Sequence, residues 1–127
     1  MTTPTEGSVV ADFIVPGNPV PKQRARVLAG GDSYTPERTR VAENHVAARY
    51  LGTEHGVVDG ESKFSVTVEF TESNKRHRDI DNMGKLVLDA LNKIVWEDDW
   101  QIDELVLRRM PMDRKNPRTW VVIARVP

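Results

Sequence analysis

Phe64-Ser65-Val66-Thr67-Val68-Glu69-Phe70-Thr71, followed after a basic loop by Asp81-Asn82-Met83-Gly84-Lys85-Leu86-Val87-Leu88-Asp89-Ala90-Leu91, decides the fold. The first run alternates apolar and polar residues with period two, which is the pattern of a strand with one buried face. The second changes to a helical period. Met83, Val87, Leu91 and Ile94 fall on one apolar face at about 100° per residue, which predicts a helix from Asp81 to Val95. On the same wheel Asp81, Lys85 and Asp89 form a separate arc, one turn apart.

Working outward, Ile102 to Met110 reads as a strand, Asp113 to Pro117 as a turn, and Trp120 to Val126 as a last, more apolar strand. Upstream, Val9 to Val15 reads as a first strand, ended by Pro16-Gly17-Asn18-Pro19. Val20 to Ser33 reads as a basic loop. Thr35-Pro36-Glu37 predicts a helix start, with Thr35 as N-cap and Pro36 in the first helical position, and Gly52 as the stop after Leu51. The order is β-α-β-α-β-β. With the last two strands closing as an antiparallel hairpin, this implies a mixed sheet with helices packed on it, an α+β single domain. The domain spans 9–127, and residues 1–8 read as a flexible N-terminus.

The 127 residues suffice for one unstapled core. No run approaches the ~20 apolar residues of a membrane-spanning helix. The sequence contains no Cys, which excludes disulfides, thiolate catalysis and Cys-based zinc sites. The N-terminal residues have neither a basic region nor an apolar stretch of signal-peptide length, so the expected location is cytoplasmic, with no membrane partner.

Net charge is −1, but its distribution is uneven. Residues 22–40 carry five Lys and Arg against two acids, and 75–78 read Lys-Arg-His-Arg. Residues 79–104 then carry eight acids against two lysines, and basic residues dominate again from 105 onward. Mixed surface charge is the ordinary reading of such a pattern. The sharper reading is a metal site set within a surface that binds a polyanion.

Arg78-Asp79-Ile80-Asp81-Asn82-Met83-Gly84-Lys85 and Trp96-Glu97-Asp98-Asp99-Trp100-Gln101-Ile102 carry the chemistry. A helix cap needs one Asp or Asn, whereas three such residues lie within four positions here. Two carboxylates so close repel unless a cation lies between them, and a hard, oxygen-ligated ion such as Mg²⁺ would serve. Lys85 is either an ion-pair partner of Asp81 and Asp89 or a cation holding phosphate, with Asp89 orienting it. Asp98-Asp99 reads as a solvated turn or as further metal ligands. The predicted helix is ~22 Å long, which would set these acids at its far end, and periodicity leaves that separation open. His45 and His55 read as surface or packing residues; His77 lies beside the acids. Trp96 reads as core, while Trp100 could form an interface or stack on an unpaired base.

The run Asp-x-Asp-Asn-x-x-Lys-x-x-x-Asp-x-Leu, then Trp-x-Asp-Asp-x-Gln-Ile, resembles the RusA family of Holliday junction resolvases. It is matched by Asp79, Asp81, Asn82, Lys85, Asp89, Leu91, Trp96, Asp98, Asp99, Gln101 and Ile102. The segment from Pro16 to Arg26 and Tyr34-Thr35-Pro36 are also similar to family members, so the resemblance covers nearly the whole chain. It implies a homodimeric, Mg²⁺-dependent endonuclease (Mn²⁺ being the other candidate ion) that resolves four-way DNA junctions. Its catalytic residues would be Asp79, Asp81, Asp99 and Lys85, with Asp98 able to trade roles with Asp99 as a metal ligand. The resemblance also implies that these acids share one site. Lys22, Arg24, Arg26, Lys75, Arg76 and Arg78 would then hold DNA phosphates. The alternatives are a nuclease for flaps, forks or other branched nucleic acid, or a catalytically inert DNA-binding dimer. Gly84 departs from good helix formers and is expected to permit close approach of backbone or DNA.

Overall fold

A computed structural model describes residues 9–56 and 59–127; the expected flexible N-terminus lies outside them. The elements are β1 (Val9–Pro16), β2 (Arg26–Val27), β3 (Ser33–Tyr34), α1 (Glu37–Leu51), β4 (Phe64–Thr71), α2 (Ile80–Leu91), β5 (Ile102–Arg109) and β6 (Arg118–Arg125). A short 3₁₀ helix, Asp99–Gln101, precedes β5. Among the described residues the architecture is α+β, with one mixed four-stranded sheet and two α-helices. No helix among the described residues is long and apolar enough to cross a membrane.

The sheet order is β1-β6-β4-β5. β6 runs antiparallel to both β1 and β4, and β4 pairs parallel with β5. The expected closing hairpin is therefore not formed: β4 separates β5 from β6. Mixed character comes instead from the β4-α2-β5 crossover, because a parallel pair requires the chain to return to its starting edge. The loop expected between β1 and α1 contains a second correction, the small antiparallel ladder of β2 and β3.

α1 lies against β1 and α2, and α2 lies against β5. Between helices and sheet sit Phe13, Tyr50, Phe64, Val66, Val68, Phe70, Met83, Leu91, Trp96, Val121 and Ile123, all buried. β4 was expected to be half-buried, yet Thr67, Glu69 and Thr71 on its other face are also buried. As a central strand it is flanked by long side chains, and Arg108 reaches Glu69 at 3.6 Å.

α1 starts one residue later than the sequence implies: Pro36 occupies the N-cap, and no side chain caps the helix. α2 stops at Leu91, four residues short of the expected end. Lys93 adopts φ 70°, which turns the chain so that Val95 and Trp96 enter the core at 0% exposure. Gly84 packs directly against Leu107 of β5. A Cβ there would stand 2.5 Å from Leu107 Cδ1, so the glycine serves helix–sheet packing and not contact with DNA.

Candidate active site

The crossover decides where the acidic residues go. β4 delivers the chain to one edge of the sheet, a loop carries it from Glu72 to Asp79, and α2 begins there. Asp79 stands at the N-cap with extended backbone, yet its carboxylate makes no cap hydrogen bond. Asn82 instead donates from Nδ2 to Asp79 Oδ2 (3.3 Å) and from its backbone N–H to Asp81 Oδ1 (3.0 Å). One asparagine thus holds both carboxylates, which are exposed on the first turn. Its role was not visible in sequence, although it lies inside the motif.

The loop before Asp79 is pinned by a buried ion cluster. Glu72 Oε1 accepts from Arg78 Nη1 (3.0 Å), and Glu72 Oε2 pairs with Arg109 Nε (3.1 Å). Arg109 Nη2 also donates to the backbone carbonyl of Arg78. The side chains of Glu72 and Arg78 are each 7% exposed. Arg78 was expected to hold phosphate, but its guanidinium is turned inward and neutralised. Its observed work is to fix the residue next to Asp79.

Lys22 departs from expectation in the same way. Its ammonium lies 2.9 Å from both Glu43 and Asp89. Burial opposes its charge, but the hydrogen bonds and charges of these two carboxylates outweigh that, and its pKa is raised. Asp89 therefore serves Lys22 and does not orient Lys85. Together with the Lys22 N–H to Asn82 carbonyl bond (2.8 Å), this straps the basic N-terminal loop across the start of α2.

A cleft of about 260 Å³ opens beside the acids. Asp79 and Asn82 line it together with Gln23, Arg38, Arg76 and His77. Arg24, Lys75, Arg76 and Lys85 are exposed, and none has an ion-pair partner among the described residues. Lys75 and Arg76 continue into an adjoining depression that reaches Arg109 and Met112. Arg26 contributes backbone to β2, and its side chain lies outside the described part. His45 is exposed, whereas His55 stacks on Tyr50 with ring centroids 4.6 Å apart.

Asp98 and Asp99 lie at the opposite edge of the sheet. Ile102, just after them, pairs with Phe64 at the start of β4, whereas Asp79 follows the end of β4. The 12 residues of α2 span ~18 Å between these edges. Within one protomer the structure does not bring Asp99 to Asp79 and Asp81, and no group of three or more potential ligands is placed to hold a metal among the described residues. Asp98 forms a reciprocal capping box with Gln101, and its Oδ1 accepts from Asp99 N–H (2.8 Å). Gln101, fully buried, receives the N–H groups of Glu97 and Asp98 and donates to the carbonyls of Asp59 and Ser62. Asp98 is thus occupied in building the turn, while Asp99 presents an exposed carboxylate without a side-chain partner among the described residues. Trp100 is 55% exposed beside it, under Lys63 Nζ at 4.5 Å. Trp96 is core, as expected.

These residues fit a hard divalent cation in a particular way. Mg²⁺ is usually held by one or two carboxylates and completes its shell with water and substrate phosphate. Asp79 and Asp81, joined through Asn82 and open to solvent, provide that donor set. A family model described as endodeoxyribonuclease RusA matches residues 16–124. No curated protein gives a significant match.

Proposed function

The chain belongs to the endodeoxyribonuclease RusA family, whose members are hydrolases acting on DNA, and on that premise we propose that it resolves four-way junctions as a homodimer using Mg²⁺. The observation that carries this reading is the pair of exposed carboxylates on the first turn of α2, held by one asparagine beside a cationic cleft. Asp79 and Asp81 would hold the ion, with Asp99 as a further ligand. The ion would supply charge neutralisation at phosphorus, an acidified water and assistance to the leaving 3′ oxygen.

The protein's own side chains set the stage for that chemistry. Asn82 fixes the spacing of the two carboxylates. Glu72 and Arg78 hold the chain that enters the helix at Asp79. Lys85, one turn beyond Asp81 and free of ion pairs among the described residues, offers a cation to the charge that develops on phosphate. Arg24, Lys75 and Arg76 would hold the flanking strand.

The remote position of Asp99 supports a second element of the proposal. Each protomer presents Asp79 and Asp81 at one end of α2 and Asp99 at the other. In a two-fold dimer, the Asp99 of one copy would complete the acidic pair of the other. Two such sites related by symmetry match the two opposed nicks that an approximately two-fold junction needs.

The test is cleavage of a synthetic four-way junction with and without Mg²⁺, comparing the protein with Asp81→Asn. Flap and fork substrates are cut in parallel. Metal-dependent paired nicks lost in Asp81→Asn support the proposal. Equal cleavage by the variant would overturn the site, and preference for flaps or forks would overturn the substrate.

A further inference from the structure

Of the basic residues around the Asp79 cleft, two are already committed. Lys22 is neutralised by Glu43 and Asp89, and Arg78 by Glu72. What remain are Arg76 and an arginine from far outside the acidic motif. Arg38 comes from the first turn of α1, far upstream in sequence, and lines the same cleft as Arg76, His77 and Asp79. Its side chain is exposed and has no acidic partner among the described residues. Its backbone is nonetheless fixed. The adjacent Thr39 is fully buried, and its Oγ1 accepts from Gln23 N–H (3.2 Å) and donates to Gln23 Oε1 (3.3 Å).

A cleft lined by two guanidinium groups without acidic partners among the described residues, and by the Asp79 carboxylate, suits a phosphodiester. Guanidinium forks match phosphate oxygens in pairs, and desolvating them costs less than desolvating an ammonium. The carboxylates alone would repel the DNA backbone. Arg38 and Arg76, brought to the cleft from separate chain segments, would offset that repulsion. We propose that Arg38 is a DNA-phosphate contact of the active-site cleft, acting with Arg76 on the strand to be cut. The inference rests on the nuclease reading above.

The test measures binding of a four-way junction without Mg²⁺, by fluorescence anisotropy over a range of KCl concentrations. The variants are Arg38→Gln and Arg40→Gln. Arg40 is a neighbour on α1, 4.0 Å from Glu37, and does not line the cleft. Arg38→Gln should bind roughly tenfold more weakly at fixed salt. Its slope of log affinity against log salt should fall by ~0.9 for each cleft engaged. Arg40→Gln should keep the wild-type slope. Wild-type affinity and slope in Arg38→Gln, with the wild type still cleaving junctions, would overturn this inference alone. Equal losses in both variants would also overturn it, because the effect would then be general surface charge. Failure of the wild type to bind or cut branched DNA would overturn the nuclease reading together with it.

Discussion

Replacing Glu72 by Ala should destabilise the protein severely, through a charge left behind. The carboxylate and the Arg78 guanidinium are each 7% exposed and 3.0 Å apart. Removing one member of a buried pair strands the other in a poorly solvated place, at a cost of ~3–5 kcal/mol. The second arm, to Arg109, contributes less. That side chain is 47% exposed, and such pairs are worth under ~1 kcal/mol. Against a total stability of ~5–15 kcal/mol, the loss is a large fraction. For a chain of this length it corresponds to a fall in Tm of roughly 10–20 °C. Calorimetry at fixed protein concentration measures it, since dimerisation would couple Tm to concentration. Changing both partners, Glu72→Leu with Arg78→Met, should recover most of the loss, because no charge is then stranded. A loss below ~1 kcal/mol in Glu72→Ala, or a double variant no better than the single, would refute the reasoning and mean that Arg78 swings freely into solvent.

The remaining predictions separate residues that look alike in sequence. Asp79→Asn, Asp81→Asn and Asp99→Asn should each abolish cleavage while leaving junction binding intact or tighter, since phosphate repulsion falls with the charge. Asp98→Ala should retain cleavage and lose ~1 kcal/mol of stability, the worth of a cap, in thermal melts; the opposite ranking of Asp98 and Asp99 would reverse their assignment. Lys85→Ala should lower the single-turnover rate on fully bound junctions with little change in Tm, and an unchanged rate would reduce it to a surface charge. Lys22 has a raised folded-state pKa, so its stabilising contribution is fully present below the unfolded pKa and is lost as pH rises through the folded value. Melts in the alkaline range should therefore fall more steeply for the wild type than for Lys22→Gln, and parallel curves would contradict the strap.

Periodicity located β4 and the start of α2, whose apolar residues recur at the strand and helix periods, whereas β1 stood out as an apolar run and α1 only by its boundary residues, Thr35-Pro36-Glu37 and Gly52. The end of α2 escaped it. Ile94, Val95 and Trp96 continue an apolar pattern, but the chain turns at Lys93, where Lys93 N–H bonds the Trp96 carbonyl and Trp96 is buried. Strand order escaped it too, since nothing local in Arg118–Arg125 states that it will lie between β1 and β4. The motif marked the acidic residues, but residue type does not reveal partners. Arg78 and Arg76 read alike as basic and both border the cleft, and only the fold shows the first buried against Glu72 and the second exposed with no acidic partner among the described residues. Asp98 and Asp99 likewise differ only through Gln101, whose buried amide selects Asp98 for the cap. Arg38 lay outside the motif, and the chain fold alone brings it to Asp79.

The central claim is that the acids at the two ends of α2 act together across a dimer, and mixing two inactive variants tests it most directly. Asp81→Asn and Asp99→Asn protomers, differently tagged, are combined and the heterodimer is isolated before a junction-cleavage assay with Mg²⁺. If each site takes Asp79 and Asp81 from one copy and Asp99 from the other, the heterodimer contains one doubly defective site and one intact site. Nicking should then return, on one strand per junction, although each parent homodimer is inactive. A heterodimer as inactive as its parents would place all the acids of a site within one protomer and contradict the account.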